Sequence, residues 1–188
     1  MKKLLLIALL LAAPLCMDAQ DKASLEQNAQ KMMDFTVSKD FSALLDLTYP
    51  KLFEIVPREQ MMQALSGMMN GDDIKVELLP TPPNFKFGDI KKIENGTYCL
   101  VEHDLAMKMI YADTTIDPDM MISIFKEGLD TEDVTYDKAQ NAYIIKKRAQ
   151  IIAVADAATG GKWTFVNNDG GKLIPMIFPD NVRKELGL

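Results

Sequence analysis

The chain reads as an α+β domain, and three features predict it. Helix-spaced apolar residues fill its first third, strand-like runs dominate the remainder, and Asn95-Gly96 separates two of those runs. Helices and strands segregated along the chain argue α+β, not an alternating parallel α/β fold. Asn-Gly between strand-patterned segments is the strongest short-range hairpin signal. The expected architecture is a set of N-terminal helices packed on a curved, mostly antiparallel sheet. One helix is inserted among the strands and a short one ends the chain. A sheet bent around helices in this way leaves a cone with an internal pocket.

The elements follow in order. Over residues 21–38, Leu25, Ala29, Met32 and Thr36 recur at helical spacing, opposite Lys22, Glu26 and Gln30. Asp40 is a natural cap for a second helix over 41–48 that buries Phe41, Leu44 and Leu45. Pro50 breaks or restarts it. Pro57, a good first-turn residue, opens a third helix whose apolar stripe is Met61, Leu65, Met68 and Met69, and Asn70-Gly71 ends it. Residues 74–79 form a strand, and Pro80, Pro82 and Pro83 keep the following segment at an edge or in a loop. Strands over 85–94 and 97–111 flank Asn95-Gly96, with Gly96 expected at a positive φ. The sequon Asn95-Gly96-Thr97 is accounted for by that turn without any sugar. Asp117 and Pro118 start the inserted helix, which carries Met121, Ile124 and Phe125. Strands resume over 134–136, 142–156 and 162–167, and a helix over 179–186 closes the chain.

The N-terminus carries an export signal. Lys2 and Lys3 precede an apolar run over residues 4–13, too short to span a bilayer, which needs about 20 residues. Cleavage after Ala19 divides the chain into a signal peptide, residues 1–19, and a single domain, residues 20–188. A rival reading attaches lipid to Cys16, but Leu15 before it is larger than that processing prefers. The expected location is periplasmic or extracellular. The removed segment holds Lys2, Lys3 and Asp18, so the formal charge moves from −6 to −7. An acidic chain repels phosphate backbones, which argues against a nucleic-acid partner. No further run is long enough for a transmembrane helix. Cys99 alone survives cleavage, so burial rather than cross-linking must hold the fold, and Cys99 itself reads as a small core residue.

Asp40-Phe41, Leu44-Leu45 and Pro50-Lys51-Leu52-Phe53 together resemble the second-helix region of the NTF2-like superfamily, including its secreted bacterial, cone-shaped members. There a D-[FY]-x-x-L run and a P-x-L run precede a third helix, here residues 58–69. Trp163-Thr164-Phe165-Val166 resembles the last strand of that superfamily. The likeness in element order extends over most of residues 20–188 and implies a cone-like pocket. The inserted helix near Pro118 and the helix after Pro179 depart from the minimal fold. Members of the superfamily include isomerases, dehydratases, hydrolases and ligand-binding domains, so the fold alone does not decide function.

The candidate site centres on His103, the sole histidine. Strand alternation sets Cys99, Val101, His103, Leu105, Met107 and Met109 on one face, and Glu102, Asp104 and Lys108 on the other. His103, Leu105, Met107 and Trp163 are the expected pocket-lining residues. In enzymes of the superfamily that this chain resembles, a pocket-facing histidine or aspartate on such a strand often transfers the proton. Asp46 and Tyr49 are the candidate partners for a dyad. The competing reading is a hydrogen-bonded core histidine. Cys99 and His103 lie roughly 13 Å apart along a strand, too far to act as a pair. No metal or cofactor is expected. One histidine and one mature cysteine do not supply a tetrahedral nitrogen–sulfur set, and Asp130, Glu132, Asp133 and Asp137 lack calcium-loop spacing. The frequent methionines read first as core and second as an adaptable apolar lining.

Three functions are compatible with these features. The leading one is an exported, non-catalytic domain that binds a small apolar ligand or a protein partner. The second is a small isomerase or dehydratase using His103 as its acid or base. The third is an interaction protein that forms a homodimer through its exposed sheet.

Overall fold

The computed structural model describes residues 13–168, 170, 171 and 173–188, and for residues 13–20 the backbone alone. Most of the apolar run read as an export signal, and the side chain of Cys16, lie outside the described residues. Among the described residues the fold is α+β, with six α-helices, two short 3-10 helices and an antiparallel seven-stranded sheet. The helices are α1 (Ala13–Ser38), α2 (Phe41–Asp46), α3 (Arg58–Asn70), α4 (Pro118–Leu129), α5 (Ile174–Ile177) and α6 (Asp180–Leu186). The strands are β1 (Ile74–Leu78), β2 (Lys86–Phe87), β3 (Lys91–Ile93), β4 (Gly96–Tyr111), β5 (Asp133–Asp137), β6 (Ala142–Ala155) and β7 (Thr164–Asn167). None of the described helices is long and apolar enough to cross a membrane.

Two long strands organise the sheet. β4 and β6 pair from Thr97↔Ala155 to Ile110↔Ala142. Along the free edge of β4 lie β3, β2 and β1 in succession. Along the free edge of β6 lie β5 at one end and β7 at the other. The segment after α2 adds one parallel bridge, Thr48 to Phe165.

Local chemistry sets the helix ends. The Asp40 carboxylate accepts from the Ala43 amide, and Asp117 accepts from the amides of Asp119 and Met120. Pro57 precedes α3 as its cap instead of sitting inside its first turn. Gly71 ends α3 in an extended conformation, not a left-handed one. Met68 departs from the expected buried stripe of α3: it is 53% exposed, while Met69 is buried. The expected strand over 85–94 is split into β2 and β3. Helix α5 was not legible as a helix: it is one turn long, with Pro175 in its first turn.

The hairpin is present, but its register corrects the sequence expectation. Ile93 pairs with Gly96, so the two-residue loop is Glu94-Asn95, and Glu94 takes the positive φ of 52°. Gly96 is the first residue of β4 and has no positive φ. Its need for glycine is steric. A Cβ there would come within 2.5 Å of the Tyr98 hydroxyl oxygen and 2.7 Å of its ring. Tyr98 is itself buried against Phe178, so the ring has little room to withdraw.

Alternation along β4 and β6 gives the sheet two faces. The inner face carries Cys99, Val101, His103 and Leu105 beside Ala153, Ile151, Ala149 and Lys147. At the hairpin end, α1 covers this face: Leu25, Ala29, Met32 and Met33 pack on Cys99, Val101, Ile151, Ala153 and Phe165. The opposite face at this end is also covered. Ile152, Val154, Val166 and Tyr98 meet Tyr49, Phe178 and Val182. At the far end of the ladder, Phe125 of α4 packs on Tyr143, Ile145 and Val134, joined by Met107, Met109 and Tyr111.

Candidate functional site

Between the cover of α1 and the cover of α4, the inner face is hollow. A cavity of about 780 Å³ lies there. Its walls include Met32 and Met33 of α1, Leu44 of α2, and Met61, Leu65 and Met69 of α3. Its sheet wall includes Val76 and Leu78 of β1, and His103, Leu105 and Met107 of β4. Six methionines line it in all, since Met68 joins those already named. The helical stripes that point these side chains inward are the ones visible in the sequence. α1 and α3 present flexible thioethers there instead of a closed layer of branched side chains.

His103 sits in the wall of this cavity and is 5% exposed. Its Nδ1 lies 3.2 Å from the carbonyl oxygen of Asp104. A carbonyl can only accept, so neutral His103 carries its proton on Nδ1. This leaves the Nε2 lone pair as the imidazole group available to the cavity. Burial holds the imidazole below its ordinary pKa; the Asp104 carbonyl opposes that shift and the Arg148 cation adds to it. The Phe85 ring flanks His103 at 6.2 Å between centroids.

The structure brings some of the sequence-predicted residues together and separates others. His103, Leu105 and Met107 all line the cavity. Trp163 does not: it is buried against α1, and its indole N–H donates to the Asp21 carbonyl. Asp46 pairs with Arg58 at 2.7 Å, with 71% of its side chain exposed. The Tyr49 hydroxyl donates to Asp156 at 2.7 Å, and its ring stacks on Phe178. Burial, reinforced by Asp156, pushes the Tyr49 phenol well above the ordinary tyrosine range. Each proposed partner of His103 is thus engaged elsewhere, and Tyr49 serves the core. Among the described residues no carboxylate or phenol is hydrogen-bonded to His103. The Cys99 thiol is buried, donates to backbone carbonyls, and is pushed up to about 11 by burial.

Two cavity residues were not singled out in the sequence. Ala149 stands opposite His103, and Lys147 stands opposite Leu105. The alternation Ile145, Lys147, Ala149, Ile151 was available in the sequence, but only the β4–β6 register attaches it to the His103 face. The outer face over the same stretch is charged. Glu77 pairs with Lys75 and Lys108, and Arg148 pairs with Asp104 at 2.8 Å and with Glu102 at 3.6 Å. Lys75 and Lys108 hold the Glu77 carboxyl down to about 2. The chain matches no known family model and no curated protein.

Proposed function

We propose that this is an exported, NTF2-like binding domain that holds a small apolar ligand in the cavity behind β4. The observation that carries the reading is the hollow of about 780 Å³ between two well-packed ends of one sheet. That volume falls within the range of about 300–1,000 Å³ common for small-molecule sites. Methionines and leucines make up about half of the lining, Thr36, Thr48, Asp130, Gln150, Asn167 and Asn168 add polar groups to it, and methionine adapts to ligand shape. His103 is the polar reference point in the sheet wall. Its neutral imidazole presents an acceptor, which disfavours an anionic group of the ligand at that wall and so gives the ligand an orientation. A catalytic role for His103 has less support, because its two candidate partners are bonded elsewhere. Export rests on Lys2, Lys3 and the apolar run after them. It is tested by the mass of the protein recovered outside the cytoplasm, which should begin near Gln20. An intact Met1, or lipid on Cys16, would overturn it.

The binding reading is tested with N-phenyl-1-naphthylamine, a neutral fluorophore that brightens in apolar surroundings. The wild type should bind it saturably, one per chain. Ala149→Phe, which places a ring in the cavity, should weaken binding by about tenfold or more, as expected when a fitted apolar group loses its space. Undiminished binding by a folded Ala149→Phe protein would contradict the reading.

A further inference from the structure

We propose that the ligand is a single-chain amphiphile with an anionic head, and that Lys147 is the residue that holds the head. This rests on the cavity being a ligand site, and it adds the chemical class of the ligand. Lys147 is out of character for its position. Its neighbours on the same face of β6 are Ile145, Ala149, Ile151 and Ala153. It stands opposite Leu105, one step along the face from the His103–Ala149 pair, and it lines the cavity.

The adjacent cations of β6 are matched by protein carboxylates. Lys146 pairs with Asp133, and Arg148 with Asp104 and Glu102. The Lys147 side chain forms no hydrogen bond or ion pair among the described residues, although its backbone belongs to the β4–β6 ladder. Asp130 also lines the cavity, yet it forms no ion pair with Lys147. An unpaired ammonium at the mouth of an apolar hollow offers its charge to an anion brought by a ligand.

The position of Lys147 also sets the direction of binding. Lys147 lines a second, shallower groove with Thr131, Glu132 and Asp133. The groove is an opening toward solvent, since Glu132 and Asp133 are exposed. Lys147 therefore stands where the apolar hollow meets the surface. The tail of the amphiphile lies among Met32, Met61, Met69 and Leu105, and its head stays at the rim. His103 Nε2, an acceptor in the neutral form, repels an anion and favours this orientation over the reverse. A lysine is a point charge that does not distinguish carboxylate from phosphate by shape, so the head is defined by its charge.

The test uses the purified protein loaded with N-phenyl-1-naphthylamine. Palmitate, hexadecyl phosphate and methyl palmitate are compared as displacing ligands. The two anions should displace the probe at concentrations about tenfold lower than the ester, the gain expected for one charge-assisted contact. Lys147→Met should bring the anions to within about twofold of the ester. The larger of the two anion preferences identifies the head as carboxylate or phosphate. Equal displacement by anions and ester in the wild type would overturn the proposal, as would an anion preference that survives Lys147→Met. If the probe binds but none of the three chains displaces it, the amphiphile is overturned while the cavity remains a binding site. If the probe itself fails to bind, the cavity reading falls and this proposal with it.

Discussion

The two long strands of the sheet meet very different surroundings along one ladder. At the hairpin end, from Thr97 to Val101, both faces are sealed. α1 covers the inner face, and Tyr49 with α5 and α6 covers the other. From His103 to Met107, the same strands have a hollow on the inner face and ion pairs on the outer one. The difference is one of side-chain type. On the outer side of the sealed end branched and aromatic groups interlock, as Tyr98, Ile152, Val154 and Phe178 do, whereas methionines, leucines and a small Ala149 line the hollow. A protein interior is packed like a crystal by default. A gap of this size beside a well-packed core is the feature on which the proposed ligand site rests. The predictions below set one end against the other.

The largest effect belongs to the sealed end. Ile151→Ala removes a side chain that is 1% exposed, and should cost about 3 kcal/mol in denaturant unfolding. Gly96→Val should cost about 2 kcal/mol by driving a branched side chain into the Tyr98 ring. If the cost arises from that contact, a Gly96→Val/Tyr98→Leu double variant should recover part of it, whereas a positive-φ origin would leave it unchanged. Tyr49→Phe keeps the stack on Phe178 but strips Asp156 of its phenol donor, and should cost about 1–2 kcal/mol.

The hollow end should respond less. Leu105→Ala widens an existing cavity, and should cost about 1 kcal/mol or less, well below Ile151→Ala. A cost equal to that of Ile151→Ala would show that Leu105 is packed as tightly as the core.

The smallest effect is the pH dependence of His103. Its folded pKa lies below the ordinary value of about 6.5, so the fold favours neutral imidazole. That contribution is complete above pH ~6.5 and is lost as pH falls from there toward the folded pKa. Stability should therefore decline in this window, and His103→Gln should flatten the decline. The proton NMR signal of His103, the sole histidine, should titrate below the ordinary value.

Much of this arrangement was legible in the sequence because it is local. The Leu25, Ala29 and Met32 stripe, the caps Asp40 and Asp117, and the inner-face alternation of β4 follow from periods of 3.6 and 2. The hairpin was legible, but its register was not. Asn95-Gly96 fits a turn with Gly96 in its second position, and nothing local reports that the Tyr98 ring needs the space above Gly96. The candidate dyad failed for a similar reason. Asp46 and Tyr49 find Arg58 and Asp156 through tertiary packing, which no spacing encodes. Trp163 was expected to line the pocket, yet its indole N–H is bonded to the Asp21 carbonyl of α1. Lys147 stayed hidden until the pairing with Leu105 fixed which face it occupies.

The contrast between the two ends is tested most directly by making the same substitution in each and comparing melting temperatures. Ala149 and Ala153 lie on the same face of β6, four residues apart, opposite His103 and Cys99. Ala153 is fully buried against α1, whereas Ala149 borders the cavity. Ala153→Phe should force a ring into packed space and lower the Tm by about 5–10 °C, or prevent folding. Ala149→Phe should find room, leaving the Tm within about 2 °C of the wild type or raising it. Equal, large losses in both variants would mean that the inner face is packed throughout, and would contradict the account.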